Sequence, residues 1–364
     1  MVPPAECQVL VIGAGPAGSR AAAASAADGA ATLLVDAKTR IGEQPHCGEF
    51  VPRQLFTEAG LDRSCVIQPV ERMETFIVDF RSRSAPVQAH NEMAAPGYLI
   101  DRVRFDRDLA RTAAAQGATV LSSTRLIGRE NDVWIVRVLE KEFEVRTGFL
   151  VAADGAGSTV AKLVGMERAS MLKGLQVEVP LCRPLDNTFV FLSQEFVGGY
   201  GWLFPKDKVA NVGLGVLAQR ELNVGALLEE LLQWLKRNGM VRPGTLARNG
   251  GLIPISGVRE HVVRSNVLLC GDAAGLTHPI TGAGIPQAVF SGDLAGRAAA
   301  AAVTRADHTP LEEYEHEIRA RYRKIMGHAL SKRNLMISAW TRPDFSETCR
   351  HTWISFKGYR KRER

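Results

Sequence analysis

Three groups of residues in this 364-residue chain have types and spacings that can do chemistry. The first is Gly13, Gly15 and Gly18 in the pattern G-x-G-x-x-G, with Asp36 lying 23 positions after the first glycine. In such a pattern the first glycine permits a tight turn and the second lets backbone approach a pyrophosphate. The third allows close helix–strand packing, and the later carboxylate is placed to accept from a ribose 2′-hydroxyl. This is dinucleotide chemistry, with NAD or FAD as the ligand. The second group is Cys47-Gly48-Glu49, a thiol able to gate a cofactor or donate a proton, beside a potential acid or base. The third is "YGWLFP", where Tyr200, Trp202 and Phe204 recur at every second position in a chain that is 7% aromatic. Such spacing puts three rings on one side of a β-strand, as a core face or as the wall of a pocket.

The elements that must position these groups follow from hydrophobic pattern. "QVLVIGAGPAGSRAAAASAADGAATLLVDA" predicts a buried parallel strand over 9–12, a turn through Ala14, and a small-residue helix over 17–27 starting at Ala17. A second strand then ends in Asp36. Two distant segments repeat the strand-to-glycine pattern. "TGFLVAADGAGSTV" ends a strand at Asp154 and Gly155, and "NVLLCGDAAGLTHPITGAGIPQAVFSGDLAG" ends one at Gly271 and Asp272. The second of these continues through Gly282 and Gly284 into a long helix from Ile285. Three distant segments closing on one site suit a long, extended cofactor better than a nicotinamide dinucleotide. Asp272 is a candidate acceptor from a ribityl or ribose hydroxyl. The 279–284 loop offers backbone amides and a helix N-terminus to an anionic ring nitrogen.

This set resembles the class A flavoprotein fold, the p-hydroxybenzoate hydroxylase-like architecture of aromatic hydroxylases, halogenases and geranylgeranyl reductases. "IDRVRFDRDLA" is similar to the D-R-x-x-F-D segment of that fold, which implies an FAD contact for Arg102 and places backbone near Leu126 by the adenine. "GDAAGLTHPITGAGI" resembles the reductase version, with Asp272, Gly284 and Ile285 in FAD-contacting positions. "YGWLFPKDKVANVGLG" resembles the reductases' Y-x-W-x-F-P, seven residues, then G-x-G. That likeness implies a tunnel beside the flavin lined by Tyr200, Trp202 and Phe204, with Gly213 and Gly215 leaving room for a chain to pass. The family places "GEQPHCGEF" near the isoalloxazine. Cys47-Gly48 matches the start of its Cys-Gly-Gly, and Glu49 replaces the second glycine. A low-pKa thiol at Cys47 requires a nearby cation, for which His46 is the candidate; the plain alternative is a loop cysteine packed near the cofactor. His278 is either at the flavin rim or a turn histidine.

The resemblance implies an α/β fold in which an FAD-binding Rossmann-like domain interleaves with a mostly antiparallel β-sheet substrate domain. The first would comprise 1–68, 98–168 and 262–305, the second 69–97 and 169–261, with C-terminal helices and a basic tail over 306–364. It further implies FAD as cofactor and reduction of carbon–carbon double bonds in a geranylgeranyl-type isoprenoid. The hydride would come from reduced FAD and the proton from a protein group or water. The reductant stays open among NAD(P)H, ferredoxin and other donors, because the one strand-preceded G-x-G-x-x-G serves FAD. A rival reading on the same fold is an FAD-dependent monooxygenase that hydroxylates an aromatic substrate, including a residue of a peptide or partner protein. A halogenase fits less well, since no W-x-W-x-I-P segment is present. A flavin-bound electron-transfer or assembly protein is the non-enzymatic alternative.

Bulk properties bound these readings. An apolar fraction of 46% with 23% charged residues describes a globular chain with a sizeable core. Six cysteines without a CxxC pair argue against a disulfide framework or a metal site and suit a reducing cytoplasm. No signal peptide is expected, because the first strand begins at Val9, and no uncharged apolar run reaches the roughly 18 residues of a membrane span. A cytoplasmic location follows, with peripheral attachment to the inner membrane face as a further expectation. Residues 319–364 hold 13 Lys and Arg against three acids, in a chain whose net charge is +6. That block suits an anionic membrane surface, an acidic protein partner, or a merely solvated helix face; nucleic acid is not expected.

Overall fold

The computed structural model describes residues 2–43, 47–82, 84, 86–167 and 169–360. Two eight-stranded sheets organise them. In the first, Val267–Leu269, the second half of Lys141–Ala152, Glu6–Ile12, Thr32–Val35 and Thr119–Leu121 run parallel in that order. These strands read as unbroken apolar runs because both faces are covered, and Val9, Leu10, Leu33, Leu34, Val151 and Leu268 are fully buried. The first half of Lys141–Ala152 leaves the parallel sheet and joins Val133–Val138 and Thr124–Glu130 in an antiparallel meander.

The helices beside this sheet are rich in alanine and glycine for a steric reason. Pro16–Ala27 crosses Ile285–Arg305 so closely that a Cβ on Gly292 or Gly296 would lie 2.1 Å from the carbonyl oxygen of Ala17 or Ala21. That crossing fixes the helix on which the pyrophosphate turn is built.

The second sheet runs Ala247–Pro254, Met171–Pro180, Val209–Leu217, Tyr200–Lys206, Thr188–Leu192, Val66–Val78, Val87–Ile100, Phe50–Pro52. All its pairings are antiparallel except that of Thr188–Leu192 with Val66–Val78. Alternation along each strand sorts its residues between two faces. Phe191, Leu203, Val212 and Leu214 pack beneath helix Val224–Arg237, while Ile77, Val190 and Leu192 face the C-terminal helices. Phe50–Pro52, within the 1–68 segment, hydrogen-bonds in this second sheet against Val87–Ile100.

Over 309–360 the C-terminal region packs against both cores. Helix Thr309–Ser338 sends Leu311, Tyr314 and Ile318 into the core of the first sheet and Met336 into that of the second. Several cations of the 309–360 region have partners within the chain. Arg333 is 1% exposed and donates to the carbonyls of Pro279 and Gly198, and Arg319, Arg321 and Arg350 pair with Glu315, Glu317 and Glu347. Arg323, Lys324, Arg342, Lys357 and Arg360 remain exposed. Among the described residues no helix is long and apolar enough to cross a membrane.

Candidate active site

The three glycines of the opening turn have separate jobs. Gly13 has φ +98°, and a Cβ there would lie 2.4 Å from the Ala153 carbonyl oxygen. A Cβ on Gly18 would lie 1.7 Å from the carbonyl oxygen of Gly13, so both positions are closed to any side chain. Gly15 is the opposite case: nothing lies within 4 Å of its Cβ position, and it lines a cavity. Helix Pro16–Ala27 starts at Gly15, and helix Ile285–Arg305 at Gly284, neither with a side-chain cap. Both N-termini therefore offer amides to an outside acceptor.

Around them stand the expected carboxylates. Asp36 accepts from the Ala14 amide and the Lys38 amide, each at 2.7 Å, and the Thr124 amide donates to its carbonyl. Leu126, two residues further on, is buried in the core of the first sheet. Asp272 lines the cavity and accepts from Thr277 Oγ1 at 2.7 Å; burial pushes its carboxyl up from the ordinary range. Asp154 serves the fold. Its carboxylate accepts from Ser158 Oγ and the amides of Thr159 and Val160 at 2.6–3.0 Å, capping the short helix Thr159–Leu163. It is Gly155, with φ +78° and open space above it, that reaches the cavity. Arg102 also lines the cavity, its guanidinium held by Asp106 at 3.0 and 3.1 Å. Bare backbone at Gly15 and Gly155, two uncapped helix N-termini and a strand-end carboxylate fit FAD. Its pyrophosphate would sit at the first helix and its ring at the second.

One cavity of about 410 Å³ joins this backbone to the aromatic strand. Tyr200, Trp202 and Phe204 form one wall, with Trp202 5.7 Å from the Tyr200 ring and 6.5 Å from that of Phe204, centroid to centroid. Trp202 Nε1 donates to Gln176 Oε1 at 2.8 Å, and Gln176 Nε2 donates to the Cys47 carbonyl at 3.0 Å. The Tyr200 hydroxyl donates to the Thr281 carbonyl, tying the strand to the loop that carries Gly282 and Gly284, both in the cavity wall. Gly48 also lies against this strand: a Cβ on it would come 2.6 Å from the Phe204 ring.

Two sequence expectations change here. Trp202 is registered opposite Gly213, and a Cβ on Gly213 would lie 2.5 Å from the indole. The ring fills the room that the missing side chain leaves, and the same position on Gly215 faces Leu172 at 3.4 Å. Within this sheet, bare backbone lines the cavity at Gly174, Gly250 and Gly251, on the two strands beyond. A glycine pair inside a strand, as in "ARNGGLIP", is a sequence signal of that kind. Met73, Met93, Val190 and Trp353 complete the apolar half, and none of them stood out in sequence.

The Cys47-Gly48-Glu49 turn lies between the two halves. Burial pushes the Cys47 thiol up, and nearby Arg102 only partly opposes this, so the group is a protonated thiol at neutral pH. Arg102 is the cation near it; His46 lies outside the described residues. Glu49 is 5% exposed and both its oxygens are occupied. Lys206 Nζ and Asn211 Nδ2 each lie 2.6 Å from Oε2, and the Arg102 amide donates to Oε1 at 3.2 Å. An acid or base in free exchange with a ligand does not look like this; Glu49 is an anchor. His278 is a turn histidine. Its Nδ1 meets Thr281, and burial beside His328 pushes it down to about 4.

Residues 6–181 match the FAD binding domain family, and residues 184–247 match the geranylgeranyl reductase catalytic domain. The digeranylgeranylglycerophospholipid reductase of Methanocaldococcus jannaschii is 33% identical over 341 residues, covering 88% of this chain and 84% of that protein. The chain belongs to the geranylgeranyl reductase family. This geranylgeranyl reductase family member is an FAD-dependent oxidoreductase of α/β class. Digeranylgeranylglycerophospholipid reductase 1 of Methanothermobacter thermautotrophicus is 35% identical over 331 residues, 85% of this chain and 81% of that one. Among solved structures, a geranylgeranyl bacteriochlorophyll reductase-like protein from Thermoplasma acidophilum superposes with a TM-score of 0.81 at 24% identity, covering 96% of each chain. A flavin-dependent brominase superposes with a TM-score of 0.69 at 19% identity, over 94% of this chain and 89% of that one. These two likenesses carry the fold alone.

Proposed function

We propose that this family member saturates carbon–carbon double bonds in the geranylgeranyl chains of an isoprenoid lipid. The observation that carries the reading is the continuous cavity that runs from the cofactor-facing backbone of Gly15, Gly155 and Gly284 to the apolar wall of Trp202, Phe204, Met73, Met93 and Val190. The names of the sequence relatives support it, and they favour reduction over aromatic hydroxylation. Reduced FAD, when bound, supplies the hydride. The protein's share is to bury the chain, at roughly 25 cal/mol per Å² of apolar surface, and to hold one double bond in reach. Bare backbone at Gly174, Gly250 and Gly251 lines the apolar half of the cavity, and at Gly174 a side chain would project with no protein atom nearer than 3.6 Å to its Cβ. A proton must also be delivered to the alkene. The Tyr200 hydroxyl is engaged with the Thr281 carbonyl, whereas Cys47 Sγ carries its proton at the cavity wall. We assign the proton to Cys47 and the electrons to an external donor of the NAD(P)H, ferredoxin or similar class. The division of the chain into 1–68, 98–168 and 262–305 for FAD, and 69–97 and 169–261 for the substrate, belongs to the same reading.

Anaerobic mixing of the photoreduced holoprotein with a geranylgeranyl phospholipid should restore the oxidised flavin absorbance faster than mixing with its saturated counterpart. Equal rates for the two lipids would sink the reading. Such a lipid resides in a membrane, and Ile325, 61% exposed beside the exposed cations Arg323 and Lys324, is suited to an anionic lipid surface. Sedimentation with anionic vesicles but not with neutral ones is the expected outcome; equal binding to both removes the electrostatic argument.

A further inference from the structure

Glu49 combines three features that rarely meet in one residue. Its backbone has φ +70°, a region that residues other than glycine seldom occupy. Its side chain is buried, and its carboxylate draws donors from three separate elements. Lys206 ends the aromatic strand, Asn211 lies on the next strand, and the Arg102 amide opens helix Arg102–Ala115. Lys206 is itself shared, reaching Glu178 at 3.2 Å. A buried ion pair loses much of its Coulomb energy to desolvation, so this cluster is poor value as a source of stability. What it does accomplish is to admit one conformation of the turn. The Glu49 amide donates to Cys47 Sγ at 3.2 Å, so the peptide that Glu49 anchors also aims the thiol.

We propose that Glu49 is a positioning residue, whose carboxylate, clamped by Lys206, Asn211 and the Arg102 amide, fixes the Cys47 thiol in the cavity wall. This rests on the assignment of the transferred proton to Cys47, and the test separates the two. Glycine accepts φ +70° freely, and Glu178 still pairs with Lys206 once Glu49 is gone, so Glu49→Gly removes the clamp without stranding a half-buried cation. In the FAD-loaded protein, E49G should label Cys47 with iodoacetamide about tenfold faster, read by peptide mass. Its kcat should fall about tenfold while KM stays within about threefold, because the loss is in the chemical step. Lys206→Met should move both readouts in the same direction, and it replaces E49G should that variant lose its visible flavin absorbance. Faster labelling with an unchanged kcat upholds the clamp and removes Cys47 as the proton source. Wild-type labelling and wild-type kcat in a folded E49G, or in K206M standing in for it, overturn the proposal.

Discussion

The indole Nε1 of Trp202 donates to Oε1 of Gln176 at 2.8 Å, and through the Gln176 amide this bond reaches the carbonyl of Cys47. The aromatic wall and the reactive turn are thus one hydrogen-bonded unit. Trp202→Phe keeps an apolar ring but leaves a buried acceptor on Gln176 unpaired, at a cost of about 1–3 kcal/mol. Trp202→Ala also opens a cavity and should cost about 3–5 kcal/mol. Thermal melts and turnover on a prenyl lipid check both. Visible flavin absorbance should survive in each variant while turnover falls most in W202A. Flavin loss from W202A would make the ring a structural support and not a substrate wall.

Gly15 and Gly292 provide a contrast that isolates cofactor binding from folding. The Cβ of Gly15→Ala meets no protein atom, so the apo melting temperature should stay within about 0.5 kcal/mol of wild type in stability terms. FAD affinity should nonetheless drop tenfold or more on the order-of-magnitude scale of a blocked backbone approach. Gly292→Ala drives a methyl group to 2.1 Å from the Ala17 carbonyl and should lose about 1–3 kcal/mol together with FAD. Wild-type FAD titration by G15A would place the pyrophosphate elsewhere.

His278 gives the pH dependence a definite sign. Its folded pKa is pushed down to about 4 from an ordinary 6.5, because burial and His328 disfavour the imidazolium. The unfolded chain therefore takes up the proton first, and the associated stability, complete above pH 6.5, is lost as pH falls toward 4. His278→Gln should flatten that part of the melting-temperature profile. A variant as acid-sensitive as wild type between these limits would assign the sensitivity to other groups.

The parts of the site that were legible in sequence are those set by local geometry. Gly13, Gly15, Gly18 and Asp36 act within one strand–turn–helix–strand unit, where spacing determines position. Period-two alternation likewise put Tyr200, Trp202 and Phe204 on one face, as the cavity wall shows. What sequence could not supply was register and distant contact. Gly213 reads as open space in sequence because nothing local says that the Trp202 ring crosses onto it. Trp353, whose ring lies 4.9 Å from that of Tyr200, sits in a segment that charge counting alone reads as solvated. Arg333 belongs to that charge block in sequence, yet it is buried against Pro279 and Gly198. Asp154 follows a strand as a cofactor ligand would, yet its oxygens cap the adjacent helix.

The most direct measurement is the mass of the lipid after anaerobic incubation of the holoprotein with a chemical reductant and a geranylgeranyl phospholipid. The account predicts a gain of two hydrogens for each double bond reduced, with oxygen excluded throughout. A product unchanged under every donor, or one that gains an oxygen atom only when oxygen is admitted, would contradict it.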